Sequence, residues 1–496
     1  MKLYYTGHDY RYACEQSLLV LFPTERPEYS EEQVKENAAY LSLHYGKTWV
    51  TASCRIYRDG VFDGSARVRK ALLTDELSIH RLLPKILRLA FYRAAERCTG
   101  KSLAWGALTG VRPAKLATRL LEEGLSAKSA VSRMKKDFFV SPSRAELCVE
   151  TAKASLAVKR SLEPQDVCLY VGIPFCPTRC AYCSFVSIGV ERSHKLLTEY
   201  LPALYREIDA TGEAVKKAGL RPVALYIGGG TPTTLSAPQL AELMERISAA
   251  FDLSAIREYT VEAGRPDTIT PEKLEALKLH GCDRVSINPQ TMNDSVLEAI
   301  GRRHSAADTL RAYGEACDAG FAAVNMDLIA GLPTDTAESF AKTLDTVLSL
   351  DPENITVHTL SMKKGSHILL EGRAIPGEEE VSAMLDYASE KLYAAGYRPY
   401  YLYRQKYISG GFENIGWCKP GFESVYNLCI MEELCTILAM GGGGSTKLTN
   451  PNTGYIARIT DKKYPREYID TIDDAVKARE EICAFYRREH LLPDNT

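Results

Sequence analysis

The chain has 496 residues, of which 45% are hydrophobic and 25% charged, a composition typical of a soluble globular protein with two or three domains. Lys and Arg total 61 and Asp and Glu 63, and the resulting net charge of −2 offers no basic excess for nucleic acid. The apolar runs are too short for a signal peptide or a membrane span. We therefore expect a cytoplasmic protein whose 14 cysteines are reduced thiols or metal ligands.

Residues 1–165 are predicted to form an N-terminal α+β extension with no recognisable catalytic motif. Alternating residues on either side of Asp59-Gly60 predict a β-hairpin. Apolar residues at helical spacing predict a helix over residues 80–100. The polar segment Ser161–Asp166 is the predicted domain boundary.

Residues 166–362 alternate between short apolar strands and helices, which predicts repeated βα units. The expected strands are residues 168–174, 223–230, 258–264, 284–290, 322–331 and 355–361. Such units form a parallel sheet, because each parallel neighbour needs a crossover helix. Six units favour an α/β fold with a partial (β/α)6 TIM-like barrel over a closed barrel of eight strands.

Residues 363–496 are predicted to form a small C-terminal α+β domain that covers the barrel mouth. Residues 378–396 have the spacing of an amphipathic helix, and the Tyr-rich residues 398–408 are strand-like. Residues 412–429 are interpreted as a loop. Three cysteines of this region are loosely clustered, but their spacing matches no familiar metal site, and we interpret them as buried thiols: Cys418, Cys429 and Cys435.

Cys176, Cys180 and Cys183 follow the first strand of the βα series in a C-x3-C-x2-C spacing. Three thiolates on one short loop can face a single soft metal centre, and an iron–sulfur cluster is the natural occupant. The alternatives are unrelated buried thiols or a structural zinc site, which normally has two separated pairs of ligands. A cubane cluster usually has four protein thiolates, so this loop would leave one iron open to a substrate or cofactor.

Polar residues end the next strands of the series: Gly228–Pro232, Glu262, Gln290 and Asp327. Because the carboxyl ends of barrel strands meet at one mouth, we expect these groups to lie near the cysteine loop. Three consecutive glycines would expose backbone groups to a close ligand such as an ammonium or an adenosyl group. Each carboxylate taken alone could instead be paired inside the barrel, and Arg302 could either cap a helix or hold a carboxylate.

Together these motifs resemble those of the radical S-adenosylmethionine (SAM) enzymes. More narrowly, YVGIPFCPTRCAYCSF, SINPQT, GRRHS and NMDLIAGLP resemble the oxygen-independent coproporphyrinogen III oxidase group. The long N-terminal extension, TGVRP and ENIGWCKPG are most similar to the HemZ branch of that group, the coproporphyrinogen dehydrogenases.

The resemblance implies a [4Fe–4S] cluster on the three loop cysteines, Cys176, Cys180 and Cys183, whose fourth iron chelates the amino and carboxylate groups of SAM. It also implies a set of SAM-binding positions: Tyr170, Tyr182, Gly229, Gly230, Thr231, Glu262, Gln290, Arg302 and Asp327. An electron from an external donor would split SAM into methionine and a 5′-deoxyadenosyl radical. That radical would take hydrogen from a propionate of the tetrapyrrole, which would lose carbon dioxide and become a vinyl group in haem biosynthesis. No protein general base is required.

Two positions depart from the oxidase pattern: Phe185 stands where the oxidases have a further Cys, and Gly172 where they have His. Phe185 resembles the haem-chaperone branch, so an alternative function is a haem-binding protein that keeps the cluster but has no decarboxylase activity. A cluster-bearing sensor without turnover is a third interpretation. If the substrate is a tetracarboxylate, Arg404, Lys406 and Lys419 are the cations predicted to bind it.

Overall fold

The computed structural model describes residues 1–30, 32–183, 186–190, 193–361, 368, 371–404 and 411–491. Its Cα positions divide the chain into two compact units. The first contains Met1–Val149 and Arg404–Phe412, and the second contains Glu150–Tyr403 and Glu413–Thr496. The domain boundaries predicted from the sequence after residues 165 and 362 stay predictions.

The first unit is built on a four-stranded sheet. Its strands, in spatial order, are β1 Lys2–Thr6, β2 Ala38–Tyr45, β3 Trp49–Arg58 and β4 Val61–Ala71. The predicted hairpin is confirmed: β3 and β4 are antiparallel, and Asp59 and Gly60 between them have φ of 49° and 80°. Positive φ at both central residues matches the twist of a two-residue hairpin turn.

The first unit also contains helices. They are α1 Arg11–Leu21, α2 Glu76–Thr99, α3 Ala114–Glu122, α4 Ala127–Phe138 and α5 Pro142–Ser161, of which α5 crosses into the second unit. Helix α2 begins at Asp75, whose side chain accepts a hydrogen bond from the Ser78 amide, and it ends at Gly100 with φ of 67°. These two caps set the ends of the helix that was predicted over residues 80–100.

The second unit contains the predicted βα series. Its strands, in chain order, are β5 Asp166–Ile173, β6 Phe175–Cys176, β7 Ile188–Gly189, β8 Arg221–Gly229, β9 Glu258–Glu262, β10 Arg284–Ser286, β11 Ala323–Ala330, β12 Asn354–Thr359, β13 Arg398–Arg404, β14 Glu413–Cys418, β15 Thr436–Met440, β16 Ser445–Thr449 and β17 Ile456–Thr460. Strands β5, β8, β9, β10, β11 and β12 lie side by side in that order, and each neighbouring pair is parallel. The predicted α/β fold with a large parallel sheet is confirmed.

The helices of the second unit connect these strands or follow them. In chain order they are α6 His194–Lys217, α7 Ala237–Ala250, α8 Pro271–Leu279, α9 Asp294–Ala299, α10 Ala306–Asp318, α11 Ala337–Leu350, α12 Glu378–Ala394, α13 Val425–Glu432, α14 Pro465–Asp470, α15 Ile472–Ala478 and α16 Glu480–Arg488. Among the helices that the structure describes, none combines the length and the apolar character that crossing a membrane requires.

The C-terminal segment adds strands to both edges of the six-stranded parallel series. Strand β15 is parallel to β5, and β14 is antiparallel to β12. The interpretation of residues 412–429 as a loop is therefore wrong, since they contain β14 and most of α13. Every residue of β14 is buried, so the strand lacks the alternation that a half-exposed strand shows. Gly416 is needed there because a Cβ would lie 1.9 Å from the Tyr401 ring.

Candidate active site

The three motif cysteines lie on the loop that leaves β5 at its carboxyl end. Cys176 ends β6, and the amide of Cys183 donates to the carbonyl of Cys180 at 3.1 Å. The Ala181 amide donates to the Ile300 carbonyl at 2.9 Å, which ties the loop to the residue that follows α9. The loop thus lies at the edge of the sheet where the other predicted groups end their strands.

Two cysteine sulfurs face hydrogen-bond donors. Thr231 Oγ1 lies 3.5 Å from Cys176 Sγ, and Arg265 Nη1 lies 3.6 Å from Cys180 Sγ. Two hydrogen bonds of 2.8 and 2.7 Å to the Asp267 carboxylate hold the Arg265 guanidinium in place. A hydroxyl and a guanidinium beside thiol sulfurs stabilise the thiolate, which is the form that binds metal. Arg265 was not predicted from the sequence.

The predicted glycine segment lies directly against the start of the cysteine loop. The Gly230 amide donates to the Ile173 carbonyl at 2.8 Å, and the Thr231 amide donates to the Phe175 carbonyl at 2.7 Å. A Cβ on Gly230 would lie 2.4 Å from the Phe175 carbonyl oxygen, and Gly229 has φ of 115°. The glycines are therefore required by close backbone packing, and this packing places Thr231 beside Cys176.

Glu262 ends β9 next to the same glycines. Its carboxylate accepts hydrogen bonds from the Tyr226 hydroxyl at 2.5 Å and the Gly229 amide at 3.2 Å. Burial raises the pKa of Glu262 to about 7, although these two donors oppose the shift. Near neutral pH the side chain is therefore poised between its acid and its carboxylate, and a cationic ligand would favour the carboxylate.

Tyr170 is stacked with two other tyrosines of the same unit. Its ring centroid is 6.3 Å from that of Tyr226 and 6.2 Å from that of Tyr426, and the last two are 4.5 Å apart. Tyr226 links this stack to Glu262 through its hydroxyl. Tyr426 lies on α13, far along the chain, and nothing in its local sequence indicates this contact.

Arg302 lies beside Tyr182. Its guanidinium donates to the Tyr182 hydroxyl at 2.8 Å and to the Gly264 carbonyl at 3.2 Å. The Nε of Arg302 is buried and has no hydrogen-bond partner among the described residues. A buried donor without a partner is costly, so an anionic group bound here would satisfy it.

Gln290 and Asp327 meet through their backbones. The Gln290 amide donates to the Asp327 carbonyl at 2.9 Å, and Gln290 has φ of 68°. The Asp327 carboxylate accepts from Asn325 at 2.8 Å and lies 3.7 Å from His358 Nε2. Burial would raise the pKa of Asp327, but His358 and the hydrogen-bond donors outweigh burial and hold the pKa below its ordinary value. Asp327 therefore has protein partners of its own, which is the structural alternative left open above.

Of the two positions that depart from the oxidase pattern, Gly172 and Phe185, the structure describes only Gly172. Gly172 is the penultimate residue of β5, and a Cβ there would approach a ring carbon of Tyr170 at 3.3 Å. Phe185 lies outside the described residues.

The comparisons with known proteins agree with this arrangement. The model of the radical SAM superfamily matches residues 170–347. The oxygen-independent coproporphyrinogen-III oxidase-like protein HemZ of Bacillus subtilis is 36% identical over 471 residues, which cover 93% of this chain and 94% of that protein. The chain belongs to this HemZ family of radical SAM proteins. The predicted family is thus confirmed.

Other relatives of this HemZ-family protein match a shorter part of it. The heme chaperone HemW of Bacillus subtilis is 33% identical over 314 residues, 61% of this chain and 78% of that protein. Among solved structures, coproporphyrinogen III oxidase HemN from Escherichia coli, described as a radical SAM enzyme, has a TM-score of 0.52 and 26% identity. That likeness covers 65% of this chain and 72% of that chain.

Radical SAM proteins such as those of the HemZ family use a [4Fe–4S] cluster and SAM, and the residues of this site fit both. The cysteine loop offers three thiols, two of which have donors that stabilise negative charge. The buried Nε of Arg302 lacks a partner, and the raised pKa of Glu262 suits a carboxyl that gains a cationic ligand. The predicted cofactors are therefore those of the family.

The structure does not support the cations predicted to bind substrate. Lys419 Nζ binds Asp351 at 3.0 Å and Glu353 at 3.5 Å, and both residues precede β12. Lys419 therefore lies at the amino ends of the parallel strands, opposite the cysteine loop, and its assignment is wrong.

Arg404 is also engaged elsewhere. Its guanidinium is buried in the first unit, where it donates to the Leu108 and Gly411 carbonyls and lies 5.2 Å from the Trp105 ring. This arrangement explains Arg404 as a structural residue. Lys406 lies outside the described residues.

Proposed function

We propose that this protein is an oxygen-independent, radical SAM coproporphyrinogen III dehydrogenase that converts propionates to vinyl groups in porphyrin and haem biosynthesis. The full-length similarity carries this proposal. The oxidase-like HemZ relative matches 93% of the chain, whereas the HemW relative matches 61%. The part of this chain that HemW does not match is thus shared with HemZ, a protein whose name refers to coproporphyrinogen-III oxidase.

In this proposal Cys176, Cys180 and Cys183 hold the cluster, and the strand-end residues hold SAM beside it. When bound, the cluster and SAM supply a 5′-deoxyadenosyl radical. The overall reaction would remove one hydrogen atom, one electron, which an acceptor takes, and carbon dioxide from each reacting propionate, and would leave a vinyl group. The tasks of the chain are to orient the propionate and to keep water away from the radical.

The polar residues of the site support a separate binding position for each polar group of SAM. Glu262 is proposed to accept a hydrogen bond from the methionine amino group of the cationic SAM, with the backbone of Gly229 and Gly230 beside it, because a buried carboxyl needs a donor or a cation. Arg302 is proposed to bind the methionine carboxylate through its unpartnered Nε. Tyr182, which accepts a hydrogen bond from Arg302, would keep the guanidinium oriented.

Glu262 should make SAM binding depend on pH. Its pKa of about 7 in the ligand-free protein means that binding the cationic SAM to the Glu262 carboxylate must first remove a proton below that pH. The SAM affinity of the reconstituted protein should therefore rise by up to about tenfold per pH unit below pH 7 and level off above it. Glu262→Gln should bind more weakly and with little pH dependence between pH 6 and 8. Calorimetric titration of SAM measures both, and an unchanged pH profile in Glu262→Gln would refute the assignment.

A tetracarboxylate substrate requires cations at the mouth, and we assign this role to Arg179 and Arg303. Arg179 lies in the cysteine loop, Arg303 follows Arg302, and both are exposed. The two loops are adjacent, because a Cβ on Gly301 would lie 3.9 Å from the Arg179 carbonyl oxygen. Exposed guanidiniums beside the radical site can bind carboxylates in pairs of hydrogen bonds.

Removing one of these cations should weaken substrate binding more than turnover. Arg303→Ala is expected to raise the KM for coproporphyrinogen III by about tenfold with a smaller change in kcat, because the contact is the same in the ground and transition states. Arg311→Ala is the matched control, since Arg311 is exposed on α10 and pairs with Glu315 at 2.8 Å. Equal KM values for Arg303→Ala and the control would show that Arg303 does not bind the substrate.

The second candidate function is haem binding and delivery without decarboxylation. It is favoured by the HemW relatives and by Phe185, which resembles the haem-chaperone motif. The experiment that separates the two is anaerobic reconstitution with iron and sulfide, followed by incubation with reductant, SAM and coproporphyrinogen III. Deoxyadenosine together with vinyl product supports the dehydrogenase. Tight haem binding and transfer to an apo-haemoprotein without vinyl product supports the chaperone.

A further inference from the structure

Three cysteines outside the radical SAM motif meet in the core of the second unit. The Sγ atoms of Cys168, Cys429 and Cys435 all lie within 4.8 Å of one another, and Cys168 and Cys435 are 3.6 Å apart. All three residues are buried, with relative exposures of 0%, 0% and 7%. They are distinct from the cysteines of the motif loop, and the proposed reaction gives them no role.

Three separate elements bring these thiols together. Cys168 lies on β5, Cys429 on α13, and Cys435 directly before β15, which is parallel to β5. Cys168 and Cys435 are 267 positions apart in the chain. Sequence spacing therefore could not reveal the cluster. The interpretation of Cys429 and Cys435 as buried thiols did not include Cys168, which lies in a distant part of the chain.

The distances between the sulfurs match one metal ion. Three thiolates at the usual Zn–S distance of about 2.3 Å from a shared ion lie about 4 Å from one another. The Cys168 and Cys435 sulfurs are 3.6 Å apart, and all three sulfurs lie within 4.8 Å of one another, so the separations are close to that value. A single ion therefore fits between these sulfurs with small side-chain adjustments.

The chemistry of the surroundings favours a soft cation. The thiols lie among apolar neighbours that include Val223, Ala224 and Ile437. Thiols lose their protons when they bind a metal ion, and thiolate ligands select soft cations such as Cu⁺ and Zn²⁺.

We propose that Cys168, Cys429 and Cys435 bind one closed-shell, thiophilic cation, Cu⁺ or Zn²⁺, independently of the [4Fe–4S] cluster. Three thiolates satisfy the coordination of Cu⁺, whereas Zn²⁺ normally takes a fourth ligand. The ion would connect β5, α13 and β15 beneath the tyrosine stack that ends at Glu262. Its binding would stabilise the fold of the second unit, since the three ligands come together only in the folded chain.

The test is elemental analysis of the full chain after expression with added zinc and, separately, with added copper. Before the analysis the [4Fe–4S] cluster is reconstituted, so that the motif cysteines bind iron and do not contribute to the zinc or copper content. We expect about one equivalent of zinc or copper per chain beyond the iron, and its loss in Cys429→Ser. Cys282→Ser is the matched control: Cys282 is also buried, but its thiol donates to the Arg284 carbonyl at 3.2 Å and should not affect the ion.

The wild-type protein supplies a second measurement that does not depend on a variant. X-ray absorption at the zinc or copper edge should show a shell of at least three sulfur atoms. The proposal is overturned if neither metal exceeds the Cys429→Ser level, if the metal has oxygen and nitrogen ligands, or if mass spectrometry under non-reducing conditions finds a Cys168–Cys435 disulfide in the purified protein.

Discussion

Cys180→Ala is expected to abolish SAM cleavage. The thiol of Cys180 is the most buried of the motif thiols, and the Arg265 guanidinium is fixed beside it by Asp267. Its removal leaves two protein ligands for the cluster and a buried guanidinium without the negative charge that it faces. Loss of an outer-shell partner alone costs 10- to 100-fold at metal sites, so loss of a ligand should lower deoxyadenosine formation more than about 100-fold.

The measurement combines iron content after reconstitution with deoxyadenosine formation by the same samples. Arg265→Gln should fall between the wild type and Cys180→Ala, because it removes the charge beside the sulfur and keeps all three thiols. Cys317→Ala is the matched control, since Cys317 is exposed on α10. Full iron content with normal deoxyadenosine formation in Cys180→Ala would show that the cluster is not on this loop.

Arg479→Met is expected to have the largest effect on stability. Arg479 is 1% exposed, and its guanidinium lies 2.7 Å from the Glu207 carboxylate and 2.6 Å from the Asp461 carboxylate. Removing it leaves two carboxyls buried side by side. Breaking a buried ion pair from one side typically costs 3–5 kcal/mol, and we expect the free energy of unfolding in urea to fall by about that amount.

The pH dependence of this loss follows from the carboxyls. Burial and the nearby Glu207 raise the pKa of Asp461 to about 8. Without the Arg479 guanidinium the Asp461 carboxyl should take up a proton more readily, so the destabilisation should be smaller at pH 5 than at pH 8. Arg488→Met is the control: Arg488 pairs with Glu481 on the surface and should cost less than about 1 kcal/mol. Equal losses in the two variants would contradict the prediction.

This buried network also connects to the active site. Glu207 accepts a hydrogen bond from the Gly441 amide at 2.8 Å, which fixes the turn after β15. Tyr200 binds the next amide, that of Gly442, and donates to the Gly172 carbonyl at 2.7 Å. The end of β5, from which the cysteine loop departs, is thereby anchored from the C-terminal segment.

The parallel series could be predicted because its signals are local. Helix α11, Ala337–Leu350, is an example, because its apolar spacing is regular and Thr336 caps its start. The polar residues at the strand ends could also be recognised in the sequence, since Glu262 and Asp327 interrupt otherwise apolar segments. Parallel strands that share one edge then required these groups to be near the cysteine loop.

The rest depends on contacts between distant residues. Arg265 and His358 gain their roles only because folding places them beside Cys180 and Asp327. Lys419 was predicted to bind substrate at the barrel mouth because it is a cation of the C-terminal region. The direction of β12 places it instead at the opposite edge of the sheet. Strand β14 is buried on both faces, so it carries no alternation that could mark it as a strand.

Transfer of deuterium from labelled substrate is the most direct test of the proposed reaction. Coproporphyrinogen III deuterated on the propionate carbon attached to the ring is incubated anaerobically with the reconstituted protein, reductant and SAM. If the propionate is oxidised as proposed, mass spectrometry should find deuterium in 5′-deoxyadenosine, in proportion to the vinyl product. Unlabelled deoxyadenosine without vinyl product would contradict the dehydrogenase assignment while leaving the cluster and SAM in place.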